Sequence, residues 1–152
     1  MEHLPPWETF TPEAKKGTAL EFDFSKVFGF VQSLVPGLSR SENMTGIGLL
    51  RDGELIAGVI YEGFNGHNVW MHVAAIPGAK WLVRDYLKAC FAYPFKVCRC
   101  VRVSGYVNDS NEAAKRFDEH LGFEQEARLR GAAADGGDVI LYVMWRKDCR
   151  YV

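Results

Sequence analysis

Apolar residues recur at Phe24, Val27, Phe28, Val31, Leu34 and Val35, a three-and-four spacing that predicts a helix from Phe24 to Val35. Asp23 or Ser25 can cap its start, and Pro36-Gly37 stops it. After the polar stretch Ser39–Asn43 the period changes to two. Thr45–Leu50 and Leu55–Glu62 read as strands joined by an Asp52-Gly53 turn, and Val69–Ala75 is a third strand entered through Asn65-Gly66. Pro77-Gly78 then opens a predicted helix to about Ala92, with Trp81, Leu82, Tyr86, Leu87, Cys90 and Phe91 on one face and Pro94 as its end. Val97–Val107 is rich in β-branched residues and reads as a strand. Asn111–His120 is a short helix for which Asp109 and Glu112 have capping-box spacing, and Gly122 supplies a left-handed exit. Phe123–Ala132 and Asp138–Trp145 close the chain as a hairpin around Asp135-Gly136-Gly137.

This order is helix, three antiparallel strands, helix, strand, helix, two strands. A strand, a helix and a further strand imply a right-handed crossover and one parallel neighbour in a mostly antiparallel sheet. The expected fold class is therefore α+β, with a mixed sheet flanked by helices. Residues 1–22, with Pro5, Pro6 and Pro12, read as an extended arm, and residues 23–152 as a single domain. A length of 152 residues suits one domain and is short for two.

Composition narrows the function classes. The net charge of -1 gives no general electrostatic reason to expect nucleic acid or an acidic membrane as partner. A basic run (Lys80, Arg84, Lys88, Lys96, Arg99, Arg102) suits either a phosphate-bearing ligand or a solvated face. No stretch approaches the roughly 20 apolar residues of a membrane span and the start lacks a signal pattern, so a cytoplasmic protein is expected. Cys90, Cys98, Cys100 and Cys149 form no CxxC pair and the histidines have no ligand spacing, so no metal site is expected.

From Asn108 to Trp145 the residues carry a resemblance. The run Asn111-Glu-Ala-Ala-Lys-Arg-Phe-Asp-Glu-His-Leu-Gly-Phe123, followed by Glu124–Glu126 and the strand Asp138–Met144, resembles the corresponding segment of the GCN5-related N-acetyltransferase (GNAT) superfamily. The last strand is similar to that of the branch with ribosomal-protein acetyltransferases. Phe91-Ala-Tyr-Pro-Phe95 and Arg146-Lys-Asp-Cys-Arg150 look like small phage-encoded relatives. The resemblance covers about Gly46 to Arg150. It implies an acetyltransferase that takes acetyl-CoA as cosubstrate and acts on a small-molecule or protein amine; separately, the Pro-rich arm and the aromatic-rich surface candidates suit a homodimer.

Such chemistry needs a cradle for pyrophosphate, a donor for the oxyanion, a base for the amine and an acid for the leaving thiolate. For the cofactor, the resemblance points to Gly78, Ala79, Lys80 and Arg84 at the phosphate loop, to the Val73 and Ala75 backbone, and to Asn111 and Phe117. The loop departs from the family: Pro77-Gly-Ala-Lys-Trp-Leu-Val-Arg84 keeps one glycine and places Trp81 near the phosphates. His72 is the base candidate on chemical grounds, though a strand histidine also serves ordinary structural roles, and Glu62 is the alternative. Asp118 occupies the place where many relatives have a tyrosine acid. It donates a proton at neutral pH only if burial or a neighbouring carboxylate raises its pKa. Tyr106 and Tyr142 are substitutes. Against the enzyme stand two other readings: a degenerate fold kept as a binding or structural module, and modification of a nucleic-acid base, which the near-neutral charge disfavours.

Overall fold

The computed structural model describes residues 3, 4, 17–35 and 37–152. Most of the expected arm, including Pro5, Pro6 and Pro12, and the helix-stopping Pro36 lie outside the described residues. The end of the arm range forms strand β1 (Thr18–Glu21), which pairs antiparallel with β2 (Thr45–Arg51) and so extends the sheet by one edge strand. Helix α1 (Phe24–Leu34) is capped by Asp23, whose carboxylate accepts from the Lys26 N–H at 3.2 Å.

β2, β3 (Glu54–Glu62) and β4 (Asn68–Ala75) form the expected antiparallel meander. Asp52 and Gly53 both adopt positive φ (51° and 83°), the pair of left-handed residues that a two-residue hairpin turn requires. Seven strands follow in the order β1-β2-β3-β4-β5-β7-β6, with β5 (Arg102–Asn108), β6 (Glu124–Leu129) and β7 (Val139–Trp145). All pairs are antiparallel except β4–β5. The α+β class with a mixed, mostly antiparallel sheet is what forms.

Alternation along the strands separates two apolar layers. Val27, Phe28 and Val31 of α1 cluster with Leu38, Ile60 and Ala74 on one face. The larger cluster, with α2 (Arg84–Ala92), lies on the other and holds Ile47, Val69, Tyr86, Phe91, Val103, Leu121 and Tyr142. α1 sits close against the sheet because Gly58 has no side chain: a Cβ there would stand 2.7 Å from Val31.

Three boundaries differ from expectation. α2 begins at Arg84, because 76–83 winds through tight turns in which Ala79 N–H donates to the Ile76 carbonyl and Trp81 N–H to that of Ala79. Leu82 is consequently exposed. Pro94 does not end the helix, which runs on as a π-helical turn over Tyr93–Val97. β5 therefore starts at Arg102, and Cys98 and Cys100 precede it, buried off the strand. α3 (Glu112–Leu121) is capped by Asn111, which accepts from Ala114 N–H at 3.1 Å. Asp109 instead binds Lys115 and Arg128. Gly122 ends α3 at φ 112°, as expected.

Candidate active site

β4 and β5 are paired only through Asn68–Trp70 and Arg102–Ser104. Beyond Trp70 and Ser104 the two strands part, and a cavity of about 420 Å³ occupies the gap. The closed end is pinned by side chains. Ser104 Oγ donates to Asn68 Oδ1 at 2.6 Å, and Arg102 donates to Ser104 and, in a fork, to both Glu126 oxygens at 2.7 and 3.0 Å.

The Ile76 N–H donates to the Ile56 carbonyl of β3. Amides alternate along a strand, so those of Ala74 and His72 also face β3, while those of Val73 and Ala75 face β5. Past Trp70 that direction is the opening. The backbone donors expected at Val73 and Ala75 thus point where β4 has parted from β5.

His72, Val73, Asn111, Phe117 and Asp118 all line the cavity. Ala75 lies beyond it on β4, and Gly78, Ala79, Lys80 and Arg84 lie outside its wall. The cavity is reached from both sheet faces. His72 shares a face with Ala74 and α1, whereas Met71, Phe117, Asp118 and Phe123 belong to the face covered by α2 and α3.

On the α1 face, buried His72 is hydrogen-bonded through Nε2 to Glu62 Oε2 at 2.5 Å. The two base candidates are therefore one pair. Where Nε2 donates to the carboxylate, Nδ1 is the ring nitrogen left for another partner. Their approach follows from register: Ile60 lies opposite His72 and Glu62 opposite Trp70, so Glu62 is the diagonal neighbour of His72. Tyr106 packs edge-on against His72 at 5.4 Å and Trp70 at 6.1 Å. Burial, then the charge of Glu62, pushes the Tyr106 phenol up.

On the opposite face, burial and then the charge of Glu119 raise Asp118 to about 7. This is the condition under which an aspartic acid donates a proton near neutrality. Glu119 does not line the cavity, yet its charge reaches Asp118, and Tyr142 Oη bonds it at 3.2 Å. Tyr142 is fully buried and engaged there, and Tyr106 stands on the His72 side. Tyr106 lines the cavity with Asp118, and Tyr142 does not.

Trp81 packs tilted against Phe117 at 4.4 Å between ring centres and lies against the main core. The helix start that can offer free N–H groups is Arg84–Tyr86, where Val83 provides no side-chain cap. Sequence reasoning missed the wall formed by Val35, Leu38 and 132–134, since loop packing leaves no periodic trace. Among the described residues no cluster of three or more His, Cys, Asp or Glu could hold a metal, and no helix is long and apolar enough to cross a membrane.

The mixed sheet, its single parallel seam and its flanking helices are the GNAT fold. Among solved structures, a point mutant of the spermidine N-acetyltransferase SpeG from Vibrio cholerae matches with a TM-score of 0.73 at 14% identity, covering 91% of this chain and 98% of that one. SpeG from the same organism in complex with CoA and spermine matches with a TM-score of 0.70 at 13% identity, over 88% and 98% of the chains. A dodecameric SpeG structure matches at 0.69 and 15%, over 88% and 96%. No protein-family model and no curated protein sequence matches the chain.

Proposed function

We propose that this chain is an N-acyltransferase that moves an acetyl group from acetyl-CoA to an amine. The observation that carries the reading is the parting of β4 and β5 with a basic pair on one face and a protonatable acid on the other. His72 Nδ1, oriented by Glu62, takes the proton of the attacking amine as the N–C bond forms. The Val73 amide, aimed into the opening, stabilises the carbonyl oxygen as its charge grows. Asp118, protonated near neutrality, gives its proton to the thiolate sulfur as the C–S bond breaks. Asn111 and Phe117 border the same space from α3.

The chain's fit to the coenzyme is good at the seam and altered at the loop. The uncapped start of α2 offers Arg84–Tyr86 N–H groups to phosphates, with Arg84 and Lys80 adding positive charge. Gly78 and Ala79 precede it in a turn, and Ala79 N–H is already bonded to Ile76. The neighbours are spermidine N-acetyltransferases, one in complex with CoA and spermine, which supports an amine as acceptor.

A thermal-shift titration with acetyl-CoA, with ATP as control, tests the reading. A saturable rise specific to the coenzyme is expected, because a ligand of the native state must stabilise it. No shift at millimolar coenzyme overturns it. The binding-module reading would then lead, and Trp81, packed from the phosphate loop against Phe117 of α3, is the observation that favours it.

A further inference from the structure

The half of the cavity on the α1 face is built unlike a site for a multiply charged ligand. His72 lines it and is hydrogen-bonded to Glu62 behind it, the one carboxylate that the described residues bring to His72. Its sides are Val35 and Leu38, from the segment leaving α1, together with Tyr106 and Val139. Val139 lies opposite Asn108, two residues from Tyr106 along β5, and so shares its face. Of the acids on the 109–138 rim, Asp109 and Asp138 are paired with cations, while Asp135 is turned to the Ser110 hydroxyl and the Gly137 N–H. Asp109 and Asp138 both bind Arg128, at 2.9 and 2.8 Å, and Asp109 also binds Lys115. Farther down the same face of β5, Arg102 is neutralised by its fork to Glu126.

We propose that the acceptor is a primary monoamine on an apolar or aromatic arm, seated with its nitrogen at His72–Glu62 and its arm between Leu38, Tyr106 and Val139. This rests on the acyltransferase reading and names its substrate class. One ammonium is met by one carboxylate and by the π-face of the half-exposed Tyr106. The arm replaces water against apolar walls. A polyamine would place its second and third ammonium groups against Val35, Leu38 and Val139, where the described lining residues of this face supply no second carboxylate to offset their desolvation. The contrast with the spermine-bound neighbour lies in the walls and not in the fold.

Isothermal titration calorimetry of the full chain, without coenzyme, compares 2-phenylethylamine with spermidine. The expected result is saturable binding of phenylethylamine at least about tenfold tighter than spermidine, the scale set by one uncompensated buried charge. Tyr106→Ala, at an exposed position and checked for folding by circular dichroism, should weaken phenylethylamine about tenfold and leave spermidine unchanged. Spermidine binding as tight or tighter, no binding of either amine, or an indifferent Tyr106→Ala overturns the proposal. The acetyl-CoA titration separates the two claims. Amine binding without any coenzyme response sinks the acyltransferase reading and leaves the amine site standing, while coenzyme-dependent turnover of spermidine in preference does the reverse.

Discussion

Asp118 carries a conflict that can be measured. Its folded pKa of about 7 stands above the ordinary aspartate value because burial and the charge of Glu119 disfavour the anion. The native state therefore binds a proton that the unfolded chain has already lost between about pH 4 and pH 7, and stability falls as pH rises through that window. Asp118→Asn removes the penalty. At pH 8 the variant should be more stable than the parent by about 2 kcal/mol, after discounting for the carboxyl's partial exposure, with the difference vanishing below pH 4. Urea melts at the two pH values check this. If Asp118 is the acid, turnover by the same variant falls about 100-fold at pH 7. A gain of stability with a loss of activity would mark strain held for function. A variant that is less stable at pH 8 would mean the carboxylate has a stabilising partner.

At the scale of elements, Pro94 explains both a misread boundary and a buried bond. Proline brings no N–H, so the carbonyl four residues back, that of Cys90, loses its helical donor. The ladder then widens, with Cys98 N–H donating to the Tyr93 carbonyl, and the Tyr61 hydroxyl fills the vacancy by donating to the Cys90 carbonyl at 2.6 Å. Tyr61→Phe should leave that carbonyl bare in the core. A loss of about 1–3 kcal/mol is expected, read as a lower urea midpoint with an unchanged slope. An unchanged midpoint would mean another donor reaches the carbonyl. The partner sits on β3, 29 residues earlier, so reading Pro94 as a stop was the natural local inference. The start of α2 was misread for a related reason. Trp81 and Leu82 continue the helical spacing, but Trp81 owes its burial to Phe117 on α3 while Leu82 faces solvent. Elements fixed by local signals, such as the Asp52-Gly53 hairpin and the Gly122 exit, were legible. The His72–Glu62 pairing was not: the two stood as alternative bases, and the observed register, with Glu62 opposite Trp70, is one residue off that counted from a two-residue Asn65-Gly66 turn.

Over the whole molecule, the decisive feature is a seam whose extent no local pattern encodes. The crossover from β4 to β5 followed from element order, but where a parallel pair parts depends on how distant segments pack on each side. The meander β1–β4 and the unit β5–β7–β6 share only three residue pairs at this seam, yet one apolar core crosses it, from Ile47 and Val69 to Phe91 and Tyr142. Global unfolding should therefore be cooperative, while β4 beyond Trp70 and β5 beyond Ser104, each held by a strand on one side alone, open at lower cost than strands paired on both sides. Hydrogen exchange read by mass spectrometry should find peptides over 71–76 and 105–110 exchanging faster than those of β2 and β3. Acetyl-CoA should slow the seam peptides selectively, because bound ligand must be expelled before they open. Protection confined to some other segment would place the coenzyme elsewhere, and the Val73 amide and Asp118 would lose their roles together. Fast exchange that the coenzyme leaves untouched, in a chain that nonetheless shows a thermal shift, would separate binding at the α2 start from entry of the acyl end into the seam.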